Sequence, residues 1–291
     1  MIGGCNDMWN PQIVNDRITT SGTNQTEVPY VPLPLIPEEG QGPDVPSGSM
    51  LGLPGRDLAY PAYNINSTVG NLSDQGLPTN VYHDGGYAEY DTHNLFGAMM
   101  SSTSRKATIS RSPDKRPLVI TRSSYMGSSR EVGHWFGDNN VDWRSYLISI
   151  WQMASFSSFF QFPMVGSDTC GHNANVTIEL CARWAMLGAW NPCFRNHKVV
   201  GAQPQEFYLW PEVADAARKA IRRRLMLLDY LYTAMYRQSV WGVPVVSPMF
   251  FNYPKDEETF GIETQFFFGD DIMVSPVTEE GKMSVEVYIP R

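Results

Sequence analysis

From residue 88 onward, segments with the pattern of a buried strand alternate with segments of helical pattern. The strand-like segments are continuous apolar runs, as expected of parallel strands that are buried on both faces. Strand alternating with helix predicts parallel α/β architecture. The predicted helices cover 88–107, 143–160, 179–190 and 211–242, and the predicted strands cover 116–124, 160–168, 192–196 and 243–251.

The pattern differs at both ends of the chain. Residues 11–85 are rich in Pro, Gly, Ser and Asn and show no periodicity, which predicts a long loop insertion. After about residue 259, two strand-like runs, TQFFFGDDIMVSPV (264–277) and SVEVYIP (284–290), follow one another with no helix between them. We therefore predict one domain over 1–258, containing the insertion, and the start of a β-sandwich domain over 259–291.

The charge of the chain narrows the classes of molecule that it could bind. A formal net charge of −8 argues against nucleic acid or an anionic membrane as a binding partner. No stretch reaches the roughly 18 apolar residues of a membrane span. The first residues, MIGGCNDMWNPQ, lack the basic start and apolar run of a signal peptide.

Cysteine, histidine and asparagine patterns add two expectations. No cluster of Cys and His has the spacing of zinc ligands, so we expect no metal site. Three N-x-S/T sequons within a polar loop favour a secretory history. The four sequons of the chain stand at Asn24, Asn66, Asn71 and Asn175.

Charged side chains follow the predicted strands where each strand ends. In a (β/α)8 barrel these ends converge on the face that carries the active site, so several charged groups there favour catalysis. A single Asp in such a place is more often a helix cap. The residues concerned are Arg122, Asp168, Arg195 and His197 at strand ends, with Asp7 before the long loop and Asp138 in a loop ahead of a helix.

Two carboxyl groups of the chain suggest the type of reaction that it could catalyse. Cleavage of a glycosidic bond with retention needs one carboxylate to attack the anomeric carbon and a second carboxyl group, about 5–5.5 Å away, to protonate the leaving oxygen. Asp7 and Asp138 are the candidates. We expect Trp135 and Phe136 to give Asp138 the dry surroundings that raise the pKa of an acid.

At these residues the sequence resembles glycoside hydrolase family 31, particularly the α-glucosidases of filamentous fungi. The likeness runs from about residue 86 to 291, and the strings occur in the family's order. They are GYAEYDTHNLFG (86–97), RPLVITRSSYMGSS (116–129), VGHWFGDN (132–139), PMVGSDTCG (163–171), ELCARW (179–184), FRNHK (194–198), QEFYLWPEVADAARKA (205–220) and VSPVTEEG (274–281).

The resemblance implies a role for each matched residue. Asp7 matches the family's nucleophile, and Asp138 matches its acid/base residue. Arg122 and His197 match two residues that hydrogen-bond the sugar. It further implies an α-glucoside oligosaccharide as substrate, no cofactor, and a partial (β/α)8 TIM barrel of about strands 4 to 8. Asp168 and Trp135 match positions in the pocket wall, and Met8 matches the residue beside the nucleophile. The resemblance also implies a disulfide between Cys170 and Cys181. The alternative for this pair is two buried thiols.

The sequence departs from the family pattern in three places. Trp9 stands where the family has Asn, and Asn10 where it has Glu, so a carboxylate next to the nucleophile is lost. His172 stands where relatives usually carry an aromatic residue. The chain also begins at the fourth barrel strand, and a sugar-binding Asp of the family belongs to the N-terminal half that has no counterpart here.

These departures leave three functions open. The first is a retaining α-glucosidase that releases glucose from non-reducing ends. The second is an inactive remnant that binds sugar weakly or partners the missing N-terminal half; the third is a relative that acts on another α-glycoside, such as an α-xyloside. We expect residues 1–291 alone to show little hydrolysis, because half a barrel leaves open strand edges and misplaced catalytic groups.

Overall fold

The computed structural model describes residues 77–79 and 81–290, which belong to two compact units that meet in sequence after Phe96. In the first unit, Tyr82 pairs with Ala88 in an isolated antiparallel bridge. The carboxylate of Glu89 lies 2.6 Å from His83 Nε2 and 2.9 Å from His93 Nδ1. The predicted loop of 11–85 falls almost entirely outside the described residues.

The helices predicted over 88–107, 143–160 and 179–190 are confirmed in position, with small differences at their ends. Among the described residues, no helix has the length and apolar character that a membrane span needs. The helices are α1 (Glu89–Arg111), α2 (Trp143–Ser158), α3 (Ile178–Gly188), α4 (Pro211–Met226), α5 (Leu228–Trp241) and the short α6 (Met249–Asn252).

Local capping explains where the helices begin and end. The side chain of Asp142 accepts a hydrogen bond from the Ser145 amide at the start of α2, and Thr177 accepts one from Leu180 at the start of α3. Pro211 occupies the first turn of α4, and Gly242 ends α5 with a left-handed φ of 71°. Both of these predicted boundaries are confirmed.

The single helix predicted over 211–242 is wrong, because the chain breaks it at Leu227. The backbone there has φ −103° and ψ 12°, and no Gly or Pro marks the break. Just before it, the Arg224 guanidinium donates to the carbonyl oxygens of Ala189, Asn191 and Pro192 at 2.7–3.0 Å. These are contacts between distant segments, so periodicity could not reveal them.

The strands are confirmed in order but are shorter than predicted. Pro117 and Pro163 interrupt the predicted strands 116–124 and 160–168, and proline offers no amide hydrogen to a sheet. The strands are β1 (Ile120–Thr121), β2 (Gly133–Trp135), β3 (Val165–Gly166), β4 (Asp168–Thr169), β5 (Arg195–Asn196), β6 (Val246–Pro248), β7 (Phe266–Phe268) and β8 (Ile272–Val274).

The first five strands pair in parallel, as predicted. β1, β2 and β3 form one sheet in that order, and β4 pairs with β5. At Gly166 the chain passes so close to Cys193 that any Cβ would collide with the Cys193 carbonyl oxygen. Gly166 therefore permits the close approach that brings the segment leading into β5 beside β3.

The last strands form an antiparallel sheet in the order β6-β7-β8. The predicted strand 243–251 is only β6, followed at once by α6, and its partner β7 is antiparallel to it. The strand predicted at SVEVYIP (284–290) is wrong, since those residues have no regular secondary structure. Tyr288 nevertheless donates its amide hydrogen to the side-chain oxygen of Gln265 at 2.8 Å.

The hydrophobic core supports the strands that carry the polar side chains. Tyr146 of α2 and Trp184 of α3 are fully buried, and their rings meet edge to face with centroids 5.5 Å apart. The Trp184 indole donates to the hydroxyl of buried Ser167 at 3.2 Å, directly beside β4. Packing of these two helices therefore fixes the position of Asp168.

A disulfide joins Cys170, just after β4, to Cys181 in α3, with Cα atoms 4.5 Å apart. This confirms the pairing that the family resemblance implies. Cys170 adopts a positive φ of 74°, and Gly171 follows with φ 76°. The bridge holds this unusual turn against α3.

We predict that the double variant Cys170→Ala/Cys181→Ala loses about 3 kcal/mol of unfolding free energy, because an eleven-residue loop is no longer closed in the unfolded state. Denaturant unfolding measures the loss. The control is Cys193→Ala, which removes a half-buried free thiol and should cost about 1 kcal/mol or less. Equal losses in the two proteins would show that the bridge contributes nothing of its own.

A second prediction concerns His134, at the centre of the first sheet. Its buried ring stacks on Phe156 with centroids 4.4 Å apart, and burial lowers the pKa of His134 to about 4. The unfolded chain binds the proton near pH 6.5, so this contribution to stability is complete above that pH and is lost as the pH falls toward 4.

The loss at pH 4 should reach about 3 kcal/mol, because the pKa of His134 is about 4 in the folded chain and near 6.5 in the unfolded one. The variant His134→Asn lacks the titrating ring and should show a flatter dependence of unfolding free energy on pH between 7 and 4. Urea titrations of both proteins at several pH values test this. Parallel curves for the two proteins would contradict it.

Candidate active site

The predicted convergence of polar side chains is present. Arg122 follows β1, Trp135 ends β2, and Asp168 begins β4. Two cations lie over the Trp135 ring: the guanidinium carbon of Arg122 is 5.6 Å from the ring centroid, and that of Arg195 is 5.0 Å away. Cation–π contacts with one indole thus join the ends of β1, β2 and β5.

Asp168 and Arg195 form the best-ordered ion pair of the site. The Arg195 Nε–H and Nη2–H groups both donate to Asp168 Oδ1, at 3.0 and 2.6 Å. Asp168 is fully buried, whereas the Arg195 side chain is 40% exposed. The bonds run across the parallel pair β4–β5, in which these two residues are direct partners.

The other carboxylate oxygen, Asp168 Oδ2, is buried and has no hydrogen-bond partner among the described residues. Burial raises the pKa of Asp168, while Arg195 opposes the increase. A buried acceptor without a donor is costly, and a ligand hydroxyl can remove that cost. The group therefore suits recognition of a polyhydroxylated ligand.

Asp138 stands after a sharp turn. Gly137 has φ +82°, and a Cβ there would lie 2.8 Å from the Arg122 side chain. The Asp138 carboxylate lies 4.0 Å from Arg122 Nη1 and 3.6 Å from His172 Nδ1. The expected dry setting is wrong, because the Asp138 side chain is 43% exposed.

Hydrogen bonds tie the loop of Asp138 to the loop that follows β4. The side chain of Asn139 accepts from the Asp168 amide at 3.1 Å, and its backbone carbonyl accepts from the His172 amide at 2.8 Å. Asn173 Nδ2 donates to the Asp138 carbonyl at 3.2 Å. These bonds therefore hold the segments of Asp138 and Asp168 together.

His197 packs against His172. The two rings stack with centroids 4.7 Å apart and an interplanar angle of 28°. Burial lowers the pKa of His197, with Asp168 acting against the decrease. The neutral ring can both donate and accept a hydrogen bond, which suits contact with sugar hydroxyls.

Sequence reasoning missed Gln205, which holds the loops behind the site. Its buried amide nitrogen donates to the carbonyls of Gly171 and His197 at 2.8 and 3.0 Å, and its oxygen accepts from Lys198 Nζ at 3.1 Å. A lone Gln in an irregular segment carries no pattern that could have identified it. Arg195 was identified only by its place at a strand end, without its partner.

Several predicted site residues lie outside the described residues. They are Asp7, Met8 and the sequon residues Asn24, Asn66 and Asn71. The fourth sequon residue, Asn175, is exposed, and its side-chain oxygen accepts from the Gln203 amide at 2.9 Å. The distance between the Asp7 and Asp138 carboxylates therefore stays a prediction.

Residues 5–234 match the family described as "Glycosyl hydrolases family 31 TIM-barrel domain", and residues 242–291 match "Glycosyl hydrolase family 31 C-terminal domain". The chain belongs to glycoside hydrolase family 31. Its fold is accordingly that of the family's TIM barrel followed by the C-terminal domain. The antiparallel sheet β6-β7-β8 lies within the second match.

Similar curated proteins come from fungi. The Aspergillus clavatus protein "Probable alpha/beta-glucosidase agdC" is 53% identical over 266 residues, covering 89% of this chain and 30% of that protein. The protein of the same name from Aspergillus fumigatus is 57% identical over 244 residues, covering 84% and 28%. The chain thus spans less than a third of the length of these family 31 relatives.

Solved structures agree with the family assignment. A Tris-bound glucosidase II alpha subunit superposes with a TM-score of 0.70 at 34% identity, covering 75% of this chain and 24% of that one. A Flavobacterium johnsoniae GH31 dextranase complexed with glucose gives a TM-score of 0.66 at 28% identity, covering 72% and 27%.

We predict that Arg195→Met lowers the unfolding free energy by about 3 kcal/mol, because it leaves the Asp168 carboxylate buried and unpaired. The double variant Arg195→Met/Asp168→Asn removes the stranded charge and should be more stable than Arg195→Met alone. Denaturant unfolding of the unmodified protein, Arg195→Met, Asp168→Asn and the double variant gives the coupling energy. Additive losses would show that the two side chains do not depend on each other.

Proposed function

We propose that the protein containing this chain is a retaining α-glucosidase that cleaves terminal α-linked glucose from oligosaccharides. The observation that carries the proposal is a chain of contacts: Asp138 lies beside Arg122, Asp168 is paired with Arg195, and both guanidinium groups lie over the Trp135 ring. His197 joins this group by stacking on His172, which lies beside Asp138. Membership of family 31 supports the reaction class. The names of the fungal relatives support glucose as the sugar.

In this proposal the glucose unit binds through its hydroxyl groups. Arg122 donates hydrogen bonds, the neutral ring of His197 donates or accepts, and the spare oxygen of Asp168 accepts one. The Trp135 ring, held by two guanidinium groups, forms a rigid wall. Met8, next to the proposed nucleophile, completes the pocket.

The reaction proceeds in two displacements. The Asp7 carboxylate attacks the anomeric carbon as Asp138 donates its proton to the departing glycosidic oxygen, forming a covalent glucosyl ester. Asp138, now ionised, takes a proton from water, and that water releases glucose with its original configuration and frees Asp7. The exposure of Asp138 allows it to exchange protons with bulk water between turnovers.

We also propose the domain and cellular setting. The barrel portion would occupy 1–258, with the insertion at about 11–85, and the β-sandwich domain would begin near 259. The Cys170–Cys181 disulfide and the exposed sequon residue Asn175 support passage through an oxidising secretory compartment. The family's N-terminal half would be the partner that completes the pocket.

An inactive remnant is the second candidate function. Trp9 and Asn10 favour it, since they alter the immediate neighbours of the proposed nucleophile. Displacement of a catalytic group by about 1 Å can cost around a hundredfold in rate. The alternative substrate for the same two-step hydrolysis is another α-glycoside, such as an α-xyloside.

The experiment uses the full-length protein with p-nitrophenyl α-glucoside. Asp7→Ala and Asp138→Ala should each lower kcat by about a thousandfold or more, as expected when a nucleophile or a general acid is removed. Azide should restore turnover to Asp7→Ala with inverted product, because the anion attacks from the vacated face.

The matched control is Asp142→Ala, which removes a nearby carboxylate whose observed role is to cap α2. It should cost about 1 kcal/mol of stability and leave kcat unchanged. Near-normal turnover by Asp7→Ala would disprove the nucleophile assignment. No turnover by the unmodified protein, with activity gained in Trp9→Asn/Asn10→Glu, would favour the remnant.

A further inference from the structure

Three side chains with metal-binding atoms meet where no spacing pattern predicted a metal site. Asp138 comes from the loop after β2, His172 from the turn after β4, and His197 from the end of β5. One ligand atom from each lies within 4.8 Å of the other two. The three segments are separated along the chain, so short Cys/His motifs could not reveal them.

We propose that Asp138, His172 and His197 form a binding site for a divalent transition-metal ion such as Zn²⁺. We call these three residues the metal triad. Two imidazoles and one carboxylate are a donor set that suits zinc, with a fourth position left for water. Mg²⁺ and Ca²⁺ prefer sites built from oxygen alone, so they fit the metal triad poorly.

The spacing is close to what zinc requires. With bonds of about 2.1 Å, two ligands of a tetrahedral zinc ion lie about 3.4 Å apart. His172 Nδ1 and Asp138 Oδ1 are already 3.6 Å apart. The ligand atoms of the metal triad now lie up to 4.8 Å apart, and this distance must shorten when the ion binds. Asp138 can supply this movement because its side chain is 43% exposed.

Two existing contacts compete with the ion. His172 Nδ1 lies 2.8 Å from Asn173 Oδ1, and binding through that nitrogen displaces this hydrogen bond. Arg122 Nη1 lies 4.0 Å from Asp138 Oδ2, whereas the 3.6 Å approach of His172 is to Oδ1, so the metal and Arg122 can use different oxygens.

The local charge does not exclude a cation. Asp168 neutralises Arg195 through a direct ion pair, and Asp138 stands beside Arg122. The His172 and His197 rings stack with centroids 4.7 Å apart, so the two imidazoles lie next to each other.

His172 supplies one of the two imidazoles of the metal triad, and a phenyl ring in its place would offer no nitrogen to an ion. A bound ion would occupy the Asp138 carboxylate. If Asp138 protonates the leaving group, as the proposed function holds, the metal would inhibit hydrolysis; metal binding itself does not rest on that role.

The experiment is calorimetric titration of ZnCl₂ into the purified full-length protein, freed of metal by chelation. We expect saturable binding of one Zn²⁺ at the metal triad and no comparable binding of MgCl₂. His172→Phe and Asp138→Asn should each weaken zinc affinity at least about tenfold, since loss of a direct ligand costs no less than loss of a supporting group.

The matched control is His83→Phe, which removes a histidine that also contacts a carboxylate, Glu89, outside the metal triad. It should bind zinc like the unmodified chain. Far-UV circular dichroism checks each variant, and His172→Asn replaces His172→Phe if the larger ring prevents folding.

Three results would overturn the proposal: no saturable zinc binding, equal affinity in the His172 variants and the unmodified chain, or a loss in His83→Phe as large as that in His172→Phe. Because the readout is binding, it is independent of catalysis. The two proposals can therefore fail separately. If zinc binds in this pattern but the Asp7→Ala variant keeps normal turnover, the proposed function is refuted and the metal site is not.

Discussion

The site depends on the ion pair between Asp168 and Arg195. Asp168 is fully buried, and an isolated carboxylate there would be strongly unfavourable, so the two bonds from one guanidinium make that position tolerable. The same guanidinium lies over the Trp135 ring, whose other cationic neighbour is Arg122. One buried charge thus links β4, β5, β2 and the residue after β1.

The surrounding loops are built to hold that arrangement. The disulfide fixes the turn after β4, Asn139 ties the loop of Asp138 to the Asp168 backbone, and Gln205 secures the carbonyls of Gly171 and His197. These segments have no regular secondary structure. One is held by a covalent bond, and the others are held by hydrogen bonds between side chains and the backbone. Irregular backbone needs such partners because it lacks the repeating bonds of helices and sheets.

The fold could be predicted where local rules decide it. Helix positions followed from periodicity and caps, as at Pro211 and Gly242, because a helix bonds within its own segment. Strand lengths could not be predicted equally well, since pairing depends on distant neighbours and on prolines such as Pro117. The break at Leu227 likewise has no local signal, and it occurs beside the bonds from Arg224 to the end of α3.

By itself, the sequence determined the family, the order of helices and parallel strands, and the residue types at the strand ends. Those features are written in short contiguous strings, which neighbours along the chain suffice to specify. Only the tertiary structure decided which side chains meet: that Arg195 neutralises Asp168, that Asp138 is exposed, and that His172 stacks on His197. Such contacts join segments far apart in sequence, and their distances depend on how the strands pack.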